Sequence, residues 1–416
     1  MREFSLLCAV VGTAFILAIA PVWAQHSSGL ERAVEAAQRG DFAASYALLL
    51  PLAQKGDAEA QYRVGQMLAS GRGIEKDPAG ALRWLRSAAE RGHVPAMAAL
   101  GRAFETGAGT AKDEAAAAGW FGRAAEKGSS EAQYALGALY AQGQGVPRDE
   151  VKAAALYRQA GEQGLAIAQY AFGQALVSGK GVETDMVEGF VWTGLAAEQG
   201  HPLAQHSLGI LYLIGIGGKT DIEQAVGWFE AAAEQGLTAS NLQLAQIYSD
   251  GKYIKQDLPS AMHHYRVAAE RGDATAQFIL GTFYSGGTGV PKDEVLAASW
   301  LQKAADQGHA RAQILLALMT LSGKGVRPDP LAAGRLLSAA ADQGVVEAQG
   351  MVGAMLSEGK LGPADPVRAH MWLALAAEAG AKDAGPLLAR VAARMSPEQL
   401  REAQEMHQAW RARQKR

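Results

Sequence analysis

From residue 58 onward, apolar and small residues recur at helical rather than alternating spacing, in short segments broken by glycine. In the segment Glu131 to Ala141 they stand at Ala132, Leu136, Gly137 and Tyr140, one face of a helix. Gly143 and Gly145 then end that helix and turn the chain. Asp149 follows, an acceptor suited to the free N–H groups at the start of a second helix. In other copies Pro78, Pro330 and Pro366 take the first helical position, where the missing N–H is harmless. The second helix aligns Trp84, Trp120, Trp192, Trp228, Trp300 and Trp372 in one column and carries an alanine pair near its end. A tryptophan repeated on an apolar stripe is read as core rather than as a ligand-stacking ladder. Gly137 stands inside a helix at a propensity cost of about 1 kcal/mol, which predicts that another helix approaches closely there.

The period is strict. Aspartate recurs at 41, 77, 113, 149, 185, 221, 257, 293, 329 and 365, and glycine at 56, 92, 128, 164, 200, 236, 272, 308, 344 and 380, always 36 residues apart. Nine full copies run over residues 58–381. Ahead of them, residues 25–57 form an N-terminal cap with a shortened helix, the cap Asp41 and a second helix over Ala44 to Ala53. Residues 382–416 close the other end. Ala384, Leu388 and Ala389 begin a tenth first helix, and Ser396-Pro397-Glu398-Gln399 is a capping box for a helix with Leu400, Ala403, His407 and Trp410 along one face. Polar, atypical end units are what a stacked array needs to close its core.

Repeated Ala-x-Ala-Gln-Tyr-x-Leu-Gly segments and Gly-x-Gly-Val-x-x-Asp loops resemble the Sel-one-like repeat family, a branch of the tetratricopeptide-like α-solenoids, over about nine tenths of the chain. The resemblance implies an all-α fold: antiparallel helix pairs stacked into a right-handed α-solenoid, with first helices lining the concave side. It also implies an adaptor role in signalling, envelope assembly or host interaction. Departures cluster in the sixth copy, which has Ser240-Asn241 for Ala-Gln, Ala245 for glycine and Tyr253 for the second loop glycine; the eighth has Leu336 in the tryptophan column.

Residues 1–24 read as a secretory signal: Arg2, an apolar stretch from Leu6 to Ala20, and Val22-Trp23-Ala24 with small residues suited to cleavage after Ala24. The alternative is an uncleaved anchor, since the charge-free run from Phe4 to Trp23 approaches the ~20 residues a bilayer requires. Either way the remainder is expected outside the cytoplasm, periplasmic or secreted, with no membrane span once the signal is removed. Export removes Cys8, the single cysteine, so disulfides, thiol nucleophiles and cysteine–zinc sites are excluded from the mature chain. A formal charge of −3 without a basic stripe argues against nucleic acid.

Catalytic patterns are weak. Leu213 to Thr220 resembles a phosphate loop but has leucine where the first glycine is required. Ser249-Asp-Gly-Lys252 and Ser357-Glu-Gly-Lys360 match the serine–lysine spacing of penicillin-recognising enzymes without their companion motifs. A cysteine-rich branch of the resembled family is linked to β-lactam chemistry, but its paired cysteines are absent. His93, His201 and His309 share one column and are expected far apart and exposed, while His263 and His264 are expected to point to different sides of a helix. No cofactor, metal or catalytic residue is therefore assigned.

By the resemblance, the concave columns hold Leu203, His206, Ile210, Leu213 and Ile214 in the fifth copy, so this first helix is apolar nearly all round. Neighbouring copies add Tyr134, Ile167, Tyr170 and Val177 on one side and Leu242 and Gln246 on the other. These residues are the candidate site for a protein or peptide partner, the other possibility being that the superhelix buries them itself. An exported interaction scaffold is the leading expectation; an envelope enzyme acting on peptidoglycan or β-lactams, or a component of polysaccharide export or assembly, are the alternatives.

Overall fold

A computed structural model describes residues 29–414; the leader, its cleavage point and Cys8 lie outside the described residues. Among the described residues all regular structure is helical, and the chain divides into two compact units between the fourth and fifth copies. The unit ending at His201 holds α1 (Gly29–Gln38), α2 (Phe42–Gln54), α3 (Ala58–Ser70), α4 (Pro78–Glu90), α5 (Val94–Thr106), α6 (Glu114–Glu126), α7 (Ser130–Gln142), α8 (Glu150–Glu162), α9 (Ala166–Ser178) and α10 (Met186–Glu198). The unit beginning at Pro202 holds α11 (Pro202–Ile214), α12 (Ile222–Glu234), α13 (Thr238–Asp250), α14 (Leu258–Glu270), α15 (Ala274–Gly286) and α16 (Glu294–Asp306). It continues with α17 (Ala310–Ser322), α18 (Pro330–Asp342), α19 (Val346–Ser357), α20 (Pro366–Glu378), α21 (Ala384–Ala392) and α22 (Pro397–Gln414). Within each unit every helix packs on the next, except that α22 lies on α20.

The loop chemistry explains the regular pairing. Asp149 accepts from the Lys152 N–H at 3.0 Å while its own N–H donates to the Tyr140 carbonyl at 2.9 Å, tying the start of α8 to the end of α7. Gly143 closes α7 in the left-handed conformation. The second loop glycine meets a different demand. At Gly181, with φ +73°, a Cβ would stand 1.9 Å from the Glu150 carbonyl oxygen of the preceding second helix, so a side chain there would collide with backbone.

Mid-helix glycines set the distance within a pair. A Cβ on Gly101 would lie 2.7 Å from the Phe121 ring, and one on Gly209 2.7 Å from that of Phe229. The side chains filling these notches, Phe121, Phe229, Leu301 and Leu373, are each at most 1% exposed. They stand one residue after the tryptophan column, and this corrects the reading of the tryptophans as core. Only Trp372 is fully buried; the other five are half-buried at the edge. There Arg123 lies over Trp120 at 4.3 Å and Lys303 over Trp300 at 4.0 Å. A helix turns 100° per residue, so the neighbour of a core residue reaches the rim.

The glutamine of each Ala-Gln pair forms a buried ladder. Gln169 donates to the Gly161 carbonyl at 3.1 Å and accepts from the Gln199 amide at 2.7 Å, which joins α8, α9 and the end of α10. The same pattern holds for Gln133, bound to Ala125 and Gln163, for Gln277, bound to Ala269 and Gln307, and for Gln313, bound to Ala305 and Gln343. A side-chain amide carries both donor and acceptor, so one glutamine adds a second donor to a helix-end carbonyl that already accepts a backbone N–H and receives a bond from its own repeat.

At the C-terminal end the expected capping box is present: the Gln399 N–H donates to Ser396 Oγ at 3.2 Å and the Ser396 N–H to Gln399 Oε1 at 2.9 Å. Ala403, on the inner face of α22, is fully buried.

Candidate protein-binding surface

In the unit beginning at Pro202, α11 carries the candidate residues Leu203, His206, Ile210, Leu213 and Ile214. Leu203 is 46% exposed, Ile210 37% and Ile214 58%, and their spacing puts all three on one face. The opposite face is core, with Leu208 at 2% and Ala204 at 0%. Leu213 and Leu242 are half-buried and Gln246 is exposed. His206 is half-buried: its Nδ1 lies 2.9 Å from Ser240 Oγ, its ring is 5.4 Å from Phe229, and burial lowers its pKa.

In the other unit, Ile167 is 37% exposed, while Tyr134, Tyr170 and Val177 are half-buried. Tyr134 packs 5.7 Å from Tyr157, whose pKa is pushed up to about 12 by burial and by Tyr134. Tyr170 packs at 5.1 Å on His201.

That last contact belongs to a recurring device that the sequence pattern did not disclose. His93 and His309 cap first helices, their Nδ1 atoms accepting from the Ala96 and Ala312 N–H groups at 3.2 Å. Their rings pack on Tyr62 at 4.8 Å and Phe278 at 4.7 Å, each on the first helix before the one capped. His93 Nε2 also meets Glu59 Oε2 at 2.8 Å. The expectation of exposed histidines is therefore corrected: the His93 side chain is 14% exposed because the capping position directs its ring inward. An accepting Nδ1 requires the neutral ring with its proton on Nε2. Burial lowers the pKa of His201 and of His309, in keeping with that form. Each of the three histidines in this column meets an aromatic residue 31 positions earlier, on the preceding first helix.

The sixth copy substitutes a polar cluster for the ladder. Ser240 and Asn241 are 0% and 3% exposed; Ser240 meets His206, and Asn241 Oδ1 meets His264 Nδ1 at 3.1 Å while its Nδ2 lacks a partner. His264 stacks on Tyr248 at 5.8 Å. The expected divergence of His263 and His264 is also corrected, for their rings meet edge to face at 5.1 Å. No group of three or more histidine, cysteine or acidic residues suited to a metal occurs among the described residues. In the serine–lysine segments, Ser249 Oγ donates to the Gln246 carbonyl and Lys252 Nζ to Tyr253, while Ser357 Oγ donates to Ala354 and Lys360 pairs with Glu358. No described helix is long and apolar enough to cross a membrane.

The profile of the Sel1 repeat matches nine consecutive segments spanning residues 58–380. Among solved structures, a protective antigen of uropathogenic Escherichia coli with an SLR fold aligns at a TM-score of 0.72 and 29% identity, covering 92% of this chain and 83% of that one. A Sel1 repeat protein from Oxalobacter formigenes aligns at a TM-score of 0.61 and 31% identity, covering 79% of this chain and 94% of that one. No curated protein sequence matches.

Proposed function

The chain belongs to the Sel1 repeat family, and from that premise we propose that it is an exported scaffold that binds a protein partner in the cell envelope or beyond it through its first-helix face. The observation that carries this is α11: Leu203, Ile210 and Ile214 form an exposed apolar face on a helix whose other side is already core. Solvated apolar residues on a rigid helix suit a peptide or helix that brings its own apolar face. The leader-like residues 1–24 support export to the periplasm or outside the cell. The relative from uropathogenic E. coli, described as a protective antigen, supports the same location. The scaffold works without cofactor or catalytic group, as an adaptor.

The test is a pull-down from an envelope extract with residues 25–416, beside a variant carrying Ile210→Glu and Ile214→Glu that melts and shows helicity like the wild type. Capture of one protein by the wild type and its loss in the variant is the expected result. Equal capture by both would remove α11 from the interface. Turnover of a β-lactam or peptidoglycan substrate by the purified chain would replace the scaffold reading with the enzymatic one.

A further inference from the structure

The second helices present an outer face whose composition changes once within each unit. Its middle position holds arginine at 83 and 335, glycine at 119 and 227, and alanine, histidine and serine at 155, 263 and 299. Only Val191 in α10 and Met371 in α20 place a large apolar side chain there. Around them the two helices agree at the other outer positions: Val187 with Val367, Trp192 with Trp372, Leu195 with Leu375 and Glu198 with Glu378, each pair five repeats apart.

On α20 this face is covered. Met371 is 4% exposed and Leu375 5%, and Met406 and Trp410 of α22 pack on the cluster that contains them. The rings of Trp410 and Trp372 meet at 6.1 Å, Arg411 donates to Glu378 at 3.2 Å, His407 lies 3.1 Å from the same carboxylate, and Gln414 donates to the Asp342 carbonyl at 2.9 Å. On α10 the face is open. Val187 is 61% exposed, Val191 53% and Leu195 41%, an apolar stripe about 12 Å long at 1.5 Å per residue. Glu198 is exposed at its end.

We propose that the outer stripe of α10 is a docking site for an amphipathic helix of α22's chemistry, supplied by another protein. The α20–α22 pair specifies that helix. It carries a small residue, a flexible apolar residue and an aromatic residue in the places of Ala403, Met406 and Trp410, with a basic residue in the place of Arg411 to meet Glu198. The chain's own α22 is held on α20 by the ring contact and the two contacts to Glu378, and on α18 by the Gln414 bond to the Asp342 carbonyl, so the occupant comes from a different protein rather than from a second copy. The site is distinct from α11, and its failure would leave the α11 reading untouched.

A fluorescein-labelled peptide of residues 397–414 is titrated against the full chain and followed by anisotropy. Saturable binding is expected, weakened about tenfold or more by Val191→Glu, a change at a half-solvated position that leaves the fold intact. Glu198→Arg is expected to weaken binding several-fold, and a peptide carrying Arg411→Glu to restore it. Absence of saturation, or equal binding by the Val191→Glu variant, overturns the site. Loss of peptide binding in Met371→Glu but not in Val191→Glu overturns it as well, since the peptide would then be exchanging onto α20. A dimer of the unliganded chain that Val191→Glu dissociates in light scattering would make the occupant a second copy and overturn the assignment to another protein.

Discussion

The fourth and sixth copies are built on the same helix lengths, yet they hold their helices in register by different means. In the fourth, Gln169 bridges Gly161 and Gln199, Gly179 closes α9 through a backbone bond to Ala175, and Gly181 brings the loop against the backbone of α8. In the sixth, Asn241 turns to His264, Gln256 reaches from its side chain to the Ser249 carbonyl at 2.8 Å, and Tyr253 stands 41% exposed where the second loop glycine belongs. The core is indifferent to the exchange: Leu244 and Ala245 are 0% exposed. Apolar packing therefore sets the helix pair, and the polar ladder and glycine loop act as an adjustable register upon it.

The largest expected contrast is in the loops. Gly181→Ala puts a Cβ into the Glu150 carbonyl at a left-handed φ and is expected to cost about 3 kcal/mol or more, read as a lowered denaturant midpoint. Tyr253→Gly in the sixth copy should move the midpoint by no more than about 0.5 kcal/mol. Similar sensitivity at both sites would show that the sixth loop is not a substitute design.

The ladder comes next. Gln169→Ala removes two hydrogen bonds, to the Gly161 carbonyl and from the Gln199 amide, and is expected to cost about 1–3 kcal/mol, whereas Asn241→Ala, whose Nδ2 is already unpaired, should cost about 1 kcal/mol or less. Chemical denaturation of the pair under one set of conditions decides it, and an equal loss would mean the sixth cluster is as tightly coupled as the ladder.

Glycines in the helices give a contrast of sign. Gly173→Ala, whose Cβ would fall 2.7 Å from Thr193 Oγ1, is expected to lower the melting temperature. Gly119→Ala meets nothing within 4 Å and should raise stability by up to about 1 kcal/mol through helix propensity.

The smallest effect is that of pH. Burial lowers the pKa of His206 and His264 around the sixth copy, of His201 beside Tyr170 and of the cap His309. The unfolded chain then binds protons that the folded chain does not. The contribution is complete above the ordinary histidine range, near 6.5, and is lost as pH falls from there through the lowered values. Melting at pH 7.5 and at pH 5 should show this loss, and His264→Gln should reduce it. A melting temperature that rises on acidification would contradict the sign.

The strict period makes the fold legible in the sequence itself. The aspartate caps, loop glycines and close approach at Gly137 are local demands of turns, helix ends and helix contacts, so each leaves a residue of fixed type at a fixed place. The candidate surface was legible only as a pattern. That α11 is apolar nearly all round is visible in the chain, but exposure at Ile210 and Ile214 depends on what the neighbouring helices cover. The histidine caps were misread because an exposed position in a repeat alignment conceals an aromatic partner 31 residues earlier.

The sequence alone determined the 36-residue period, the helix order and the pairing within a repeat, because these follow from short-range sterics and hydrogen-bond valence. Tertiary structure decided which tryptophan is core and which is rim, how the glutamines join three helices, and that the apolar face shared by α10 and α20 is covered in one place and open in the other. Those outcomes depend on residues far apart in the chain reaching the same few ångströms, and no local pattern carries that information.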